Sequence, residues 1–122
     1  MDDKVKKHLE DILIAIDEID IFFESLPKRY DLFVNNLLLR RGVERNIEII
    51  GEAMSRILKA DSTISITNAR KIVDTRNYII HGYDTLTADV LWSIVINHLP
   101  LLKNEVEEML KQDASSKIKN QK

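Results

Sequence analysis

The stretch Val5-Lys6-Lys7-His8-Leu9-Glu10-Asp11-Ile12-Leu13-Ile14-Ala15-Ile16-Asp17-Glu18-Ile19 decides the fold class. Val5, Leu9, Ile12, Ile16 and Ile19, continued by Phe23 and Leu26, recur in alternating steps of four and three. That spacing places side chains on one face of an α-helix. A first helix is therefore predicted up to Pro27, which has no backbone N–H to continue it.

Working outward, a second helix is predicted over about Leu32 to Ala60, with Ile47, Ile50, Met54, Ile57 and Leu58 on its apolar side. Its other side carries Arg41, Arg45, Glu48, Glu52 and Arg56, read as a solvated stripe of mixed sign. Gly42 marks a candidate break or kink, and Gly51 a candidate close crossing with another helix, because glycine costs helix stability unless space is short. The run Asp61-Ser62-Thr63-Ile64-Ser65 reads as a loop. A third helix is predicted from Thr67, as N-cap, to Gly82, and a fourth from Asp84 through Trp92, Ile96 and Leu101 to about Lys111, kinked at Pro100. Residues 113–122 are polar and lysine-rich without apolar period, so a tail lacking regular structure is expected after a domain of residues 1–112. The architecture expected is all-α, an antiparallel four-helix bundle.

The 122 residues suffice for one core, and the net charge of −2 is not that of a protein that coats nucleic acid, so any RNA contact has to be local. Cysteine is absent, which excludes disulfides, thiolate catalysis and thiolate zinc sites; no metal is expected. The charged opening Met1 to Lys7 carries no secretory hydrophobic segment, and no stretch approaches the roughly 20 apolar residues of a membrane span. A cytoplasmic protein without membrane contact is expected.

The anomaly lies in the third helix. Projected at the helical step, Ala69, Ile72, Val73, Ile79 and Ile80 form one arc, and Arg76 falls at its centre. A guanidinium facing the core requires a carboxylate, polar groups of a second subunit, or a bound anion. Glu48 and Glu52 are the candidate carboxylates of an interhelical ion pair. His81, just before Gly82, belongs at the helix C-terminus, where the dipole favours an imidazolium; acid–base chemistry and simple capping are both open to it. On an ideal helix Arg76 and His81 point about 140° apart. A two-fold dimer through this helix would bring two arginines and two histidines into one cleft. Such groups suit metal-free RNA cleavage: histidine moves the proton of the ribose 2′-OH or of the leaving 5′-oxygen, and arginine stabilises the phosphorane. The products would be a 2′,3′-cyclic phosphate and a 5′-hydroxyl.

Arg76-Asn77-Tyr78-Ile79-Ile80-His81-Gly82-Tyr83 resembles the Arg-x4-His-x-Tyr signature of the HepT-type HEPN ribonuclease toxins. Arg45-Asn46-Ile47-Glu48-Ile49-Ile50-Gly51-Glu52-Ala53 resembles that family's second-helix motif, and Leu91-Trp92-Ser93-Ile94 with His98-Leu99-Pro100-Leu101-Leu102 its fourth helix. The resemblance implies a dimerising HEPN bundle and an RNA substrate. It also implies Arg76 and His81 as the catalytic pair, Asn77 as a supporting polar residue, and Tyr83 as the hydroxyl on which a minimal nucleotidyltransferase antitoxin of the MntA type places AMP. Two alternatives stand beside it: a non-cleaving dimer that binds nucleotide or regulates a nucleotidyltransferase, and a structural dimer with Arg76 in an ion pair. His8 reads as a partly buried or interfacial residue, and His98 as one able to bond a carbonyl freed by Pro100. Trp92, Tyr30 and Tyr78 read as core or interface aromatics, with stacking on RNA open to Tyr78 on the exposed side of the third helix, and Arg40, Arg41, Arg45, Arg70 and Lys71 as solvated cations available for local phosphate contacts.

Overall fold

A computed structural model of the chain describes residues 1–80 and 84–120, without the side chains of 78, 80, 84–87 and 117–120. The described residues form helices α1 (Asp3–Phe22), α2 (Tyr30–Val34), α3 (Leu37–Ala60), α4 (Ala69–Ile80), α5 (Asp84–Ser93) and α6 (Leu99–Asn120), with a turn of π-helix over Ile94–His98. The fold is an all-α bundle, as the apolar periods require.

In α1 the predicted seam is the core face: Val5, Leu9, Ile12, Ile16 and Ile19 are buried, and Asp2 caps the helix by accepting from the Lys4 N–H at 2.7 Å. The helix ends at Phe22, short of Pro27, so Leu26 lies beyond it and is only half-buried. Phe23 instead closes a cluster of rings with Tyr30, Phe33 and Trp92. Phe33 is fully buried there, and the Tyr30 hydroxyl donates to Asp89 on α5. Tyr30 and Trp92 are thus packing aromatics; the Tyr78 side chain lies outside what is described.

The predicted second helix is two. Asn35 and Asn36 divide α2 from α3, because the Asn36 side chain accepts from the Leu39 N–H at 3.0 Å and starts a new helix. The break therefore falls at an asparagine cap rather than at Gly42. α3 runs straight through Gly42, where the Phe22 ring leaves room for no larger residue without adjustment: a Cβ would sit 3.1 Å from it. Buried Asn46 donates to the Ala15 carbonyl at 3.0 Å and to Glu18 at 3.1 Å. With Gly42 facing Phe22 and Asn46 facing Ala15, α1 and α3 run antiparallel.

α4 begins at Ala69, with Asn68 rather than Thr67 at the cap position: the Ile72 N–H bonds the Asn68 carbonyl, and Asn68 takes a left-handed φ of 60°. Thr67 serves a different purpose, its N–H donating to Glu105 of α6 at 3.1 Å. Asn68 Nδ2 donates to His98 Nδ1 at 3.3 Å, so His98 bonds this loop. Just before Pro100, where a kink is expected, the helix forms a π-turn. The Leu99 N–H reaches back to the Ile94 carbonyl, and the helical dihedrals of Ser93 and Leu99 carry the helix on. α6 then continues through Asn120, so residues 113–120 are helical rather than an irregular tail. Buried Asp113 meets the N-terminal ammonium of Met1 at 3.3 Å, and Lys103 meets Asp17 at 3.3 Å, which ties α6 antiparallel along α1. No helix among the described residues is long and apolar enough to cross a membrane.

Two outcomes follow. Asn46→Ala should destabilise the protein by about 1–3 kcal/mol in denaturant titration, since the Ala15 and Glu18 acceptors lose a buried donor. Burial, and after it the Lys71 charge, push the His98 imidazole below its ordinary value of 6.5. The folded state therefore favours the neutral ring: this contribution to stability is complete above about pH 6.5 and is lost as pH falls towards the lowered folded value. Thermal melts across that window should flatten in His98→Gln.

Candidate functional site

α3 and α4 cross at Gly51, and the crossing positions everything that follows. A Cβ on Gly51 would lie 2.6 Å from the Arg76 Cβ and 3.2 Å from the Ile72 carbonyl oxygen, so the two backbones meet at a distance only glycine permits. The close-crossing role expected of Gly51 is the one observed. Ala69, Ile72 and Val73 of the predicted arc are buried and Ile79 is half-buried, joined by buried Thr75, whose hydroxyl donates back to the Lys71 carbonyl; the Ile80 side chain lies outside what is described. Arg76 does not follow them into the core. Its stem passes over Gly51, with Cδ 3.3 Å from where that Cβ would stand, and its side chain emerges 26% exposed.

The residue after Gly51 receives the guanidinium. Glu52 Oε2 lies 2.6 Å from Arg76 Nη2, while Glu52 Oε1 accepts from Arg56 Nε at 2.9 Å. One carboxylate thus bridges two guanidiniums. The Arg56 hydrogen bond, followed by the charges of Arg76, Arg56 and Lys59, holds the Glu52 carboxyl below the usual carboxylate range, against a desolvation that works the other way. Arg76 Nη1 donates to the Asn77 side-chain oxygen at 3.3 Å, so Asn77 does touch the arginine it follows. The interhelical ion pair considered from the sequence is present, with Glu52.

Beside this pair opens a cavity of about 380 Å³. α3 forms its long wall, with Arg45, Glu48, Glu52 and Arg56 facing it around Ile49 and Ala53. α4 adds Arg76, and α1 adds His8 and Asp11. The stripe read as a solvated face is therefore only partly one: Arg45 and Arg56 are 68% and 62% exposed, whereas Glu48 and Glu52 turn towards the cavity. The sequence gives no chemical signal at His8 or Asp11, because their approach to Arg76 depends on the antiparallel register of α1 and α3. Of the cations considered for phosphate contact, Arg45 reaches this cavity. Among the described residues no group of three His, Asp or Glu side chains is arranged to hold a metal ion. His81 and Tyr83 lie outside the described residues, as does Gly82.

The model of the family described as ribonuclease HepT-like matches residues 12–109, which includes the α3–α4 crossing and the Arg76 motif. The chain belongs to the HepT-like ribonuclease family. A relative in Methanocaldococcus jannaschii is 37% identical over 84% of this chain and 94% of its own length, and its name marks it provisionally as an RNase. A Thermococcus cleftensis protein, named a probable ribonuclease HepT, is 31% identical over 87% of this chain and 96% of its own. A second M. jannaschii protein with a provisional RNase name is 29% identical over 95% of this chain and 94% of its own. No solved structure gives a significant match.

Within this family member, Gly51→Ala tests the crossing. The added methyl should force α3 and α4 apart and lower stability by about 1–3 kcal/mol in chemical denaturation, even though alanine is the better helix former. An unchanged midpoint would mean that the crossing is looser than 2.6 Å implies.

Proposed function

We propose that this chain is a metal-independent endoribonuclease toxin of a toxin–antitoxin system, acting as a homodimer in the cytoplasm. The observation that carries the reading is Arg76, a half-buried guanidinium held at the edge of an open cavity in a chain of the HepT-like ribonuclease family. Its five N–H donors exceed what Glu52 and Asn77 take up, which leaves donors for a phosphate.

In this reading Arg76 and His81 are the catalytic pair and Asn77 steadies the arginine. The ribose 2′-oxygen attacks the adjacent phosphorus while an imidazole takes its proton. The 5′-oxygen leaves with a proton from the imidazolium of the second copy. Arg76 offsets the charge that gathers on the non-bridging oxygens. DNA, without the 2′-OH, gives no such attack. An MntA-type minimal nucleotidyltransferase would silence the site by placing AMP on the Tyr83 hydroxyl, setting an anionic phosphate beside Arg76 and bulk in the cleft.

The second reading is a non-cleaving dimer that binds nucleotide or regulates a nucleotidyltransferase. The 2.6 Å Glu52 contact weighs against cleavage, because Arg76 already has an anionic partner, and it suits equally the structural dimer with Arg76 in an ion pair. Incubation of the purified protein with RNA in excess chelator separates the two. Cleavage that persists in chelator, leaves cyclic phosphate ends and falls at least about a hundredfold in His81→Ala, the low end for a general acid–base group, is the expected result. Intact RNA together with co-purification of a nucleotidyltransferase would favour the second reading. Mass spectrometry of protein co-expressed with that partner should place AMP on Tyr83, and modification confined to other residues would refute the silencing step.

A further inference from the structure

The cavity extends past what Arg76 needs for one phosphate. Its volume of about 380 Å³ falls within the range of roughly 300–1,000 Å³ usual for small-molecule pockets. Ile49 and Ala53, one turn apart on α3, supply an apolar floor. The charged groups around that floor balance: Asp11, Glu48 and Glu52 against Arg45, Arg56 and Arg76. A pocket for a free polyanion such as a nucleoside triphosphate needs an excess of cations. A balanced one suits an uncharged ring, with the phosphates on either side left to the exposed rim arginines.

The three carboxylates differ in how far they are engaged. Glu52 has an oxygen on each of two guanidiniums, and Asp11 meets Lys7 at 2.5 Å. Glu48 is approached by Arg45 at 3.6 Å, beyond hydrogen-bond distance, and its side chain is 31% exposed. Asp11 keeps its second oxygen but is paired with a lysine, so Glu48, without a hydrogen bond among the described residues, has the most acceptor capacity to offer a ligand.

We infer that this cavity is a base pocket, taking the nucleobase next to the phosphate that Arg76 holds, with Glu48 reading its edge. The inference rests on the ribonuclease reading of Arg76. The base lies on Ile49 and Ala53, and its N–H groups donate to the Glu48 carboxylate. Unpaired bases in single-stranded RNA expose such edges, and stacking on an arginine plane is open to them. A carboxylate only accepts, so bases with an amino group, namely adenine, cytosine and guanine, fit. Uracil, whose single N–H is flanked by two carbonyls, is disfavoured.

The test uses the intact protein and 2′-O-methyl trinucleotides, in which the blocked 2′-oxygen cannot attack. Their titration is followed on the His8 imidazole signals, assigned with His8→Gln. Trinucleotides of A, C or G should shift these signals, with all-U about tenfold weaker, a ratio within the reach of one specific base contact. On a random RNA pool, Ile49→Trp, which fills the pocket, should raise KM about tenfold. Glu48→Gln, whose amide donates as well as accepts, should raise the share of cleavage at uridine about fivefold. Because Glu48→Gln is isosteric, it keeps the test open should Ile49→Trp fail to fold. Binding of the trinucleotides without RNA cleavage would uphold the pocket and overturn the ribonuclease reading. Cleavage with wild-type site preference in Glu48→Gln and no His8 shift would overturn the pocket alone. Neither binding nor cleavage would overturn both.

Discussion

The approach of α4 to α3 over Gly51 is the constraint on which the rest depends. A missing Cβ lets the two backbones meet, and the same contact carries the Arg76 stem across α3 to the next residue in the chain, Glu52. Packing and electrostatics are thus set at one point. Had the helices crossed a turn away, Arg76 would be buried without a partner, at a cost of several kcal/mol, or fully solvated and unoriented.

The Glu52–Arg76 pair matters for geometry more than for stability. With side chains 40% and 26% exposed, much of the Coulomb attraction is screened, and such pairs contribute only modestly to folding. What the bridge achieves is order. Arg56 and Arg76 are held on the two oxygens of one carboxylate, at the edge of a cavity whose charged side chains balance. Two oriented guanidiniums on a body of net charge −2 suit contact with a phosphate at one place and not along the whole surface.

The remainder of the fold holds that edge in register. Asn46 fastens α3 to α1, which brings His8 and Asp11 opposite the Glu48–Arg56 stretch. Thr67 and Asn68 fasten the start of α4 to Glu105 and His98. Each tie is a polar bond between elements whose apolar faces alone would permit sliding.

The helical class, the core face of α1, the apolar face of α3 and the role of Gly51 were legible in the residues themselves, because a period of 3.6 and a glycine in a helix are local signals. So was the need of Arg76 for a partner, since an arginine among aliphatic residues is a conflict visible without coordinates. The family motif around Arg76 could be read as well, and it agrees with the family to which the chain belongs. Cap chemistry misled at Asn36, where a side chain restarts a helix inside an otherwise continuous apolar pattern. It misled again at Thr67, whose N–H is taken by a distant carboxylate. Which carboxylate meets Arg76, and that His8 shares its cavity, only the tertiary structure decided. Those contacts join residues 24 and 68 positions apart, and their distance in space follows from helix crossing and register, which no local pattern encodes.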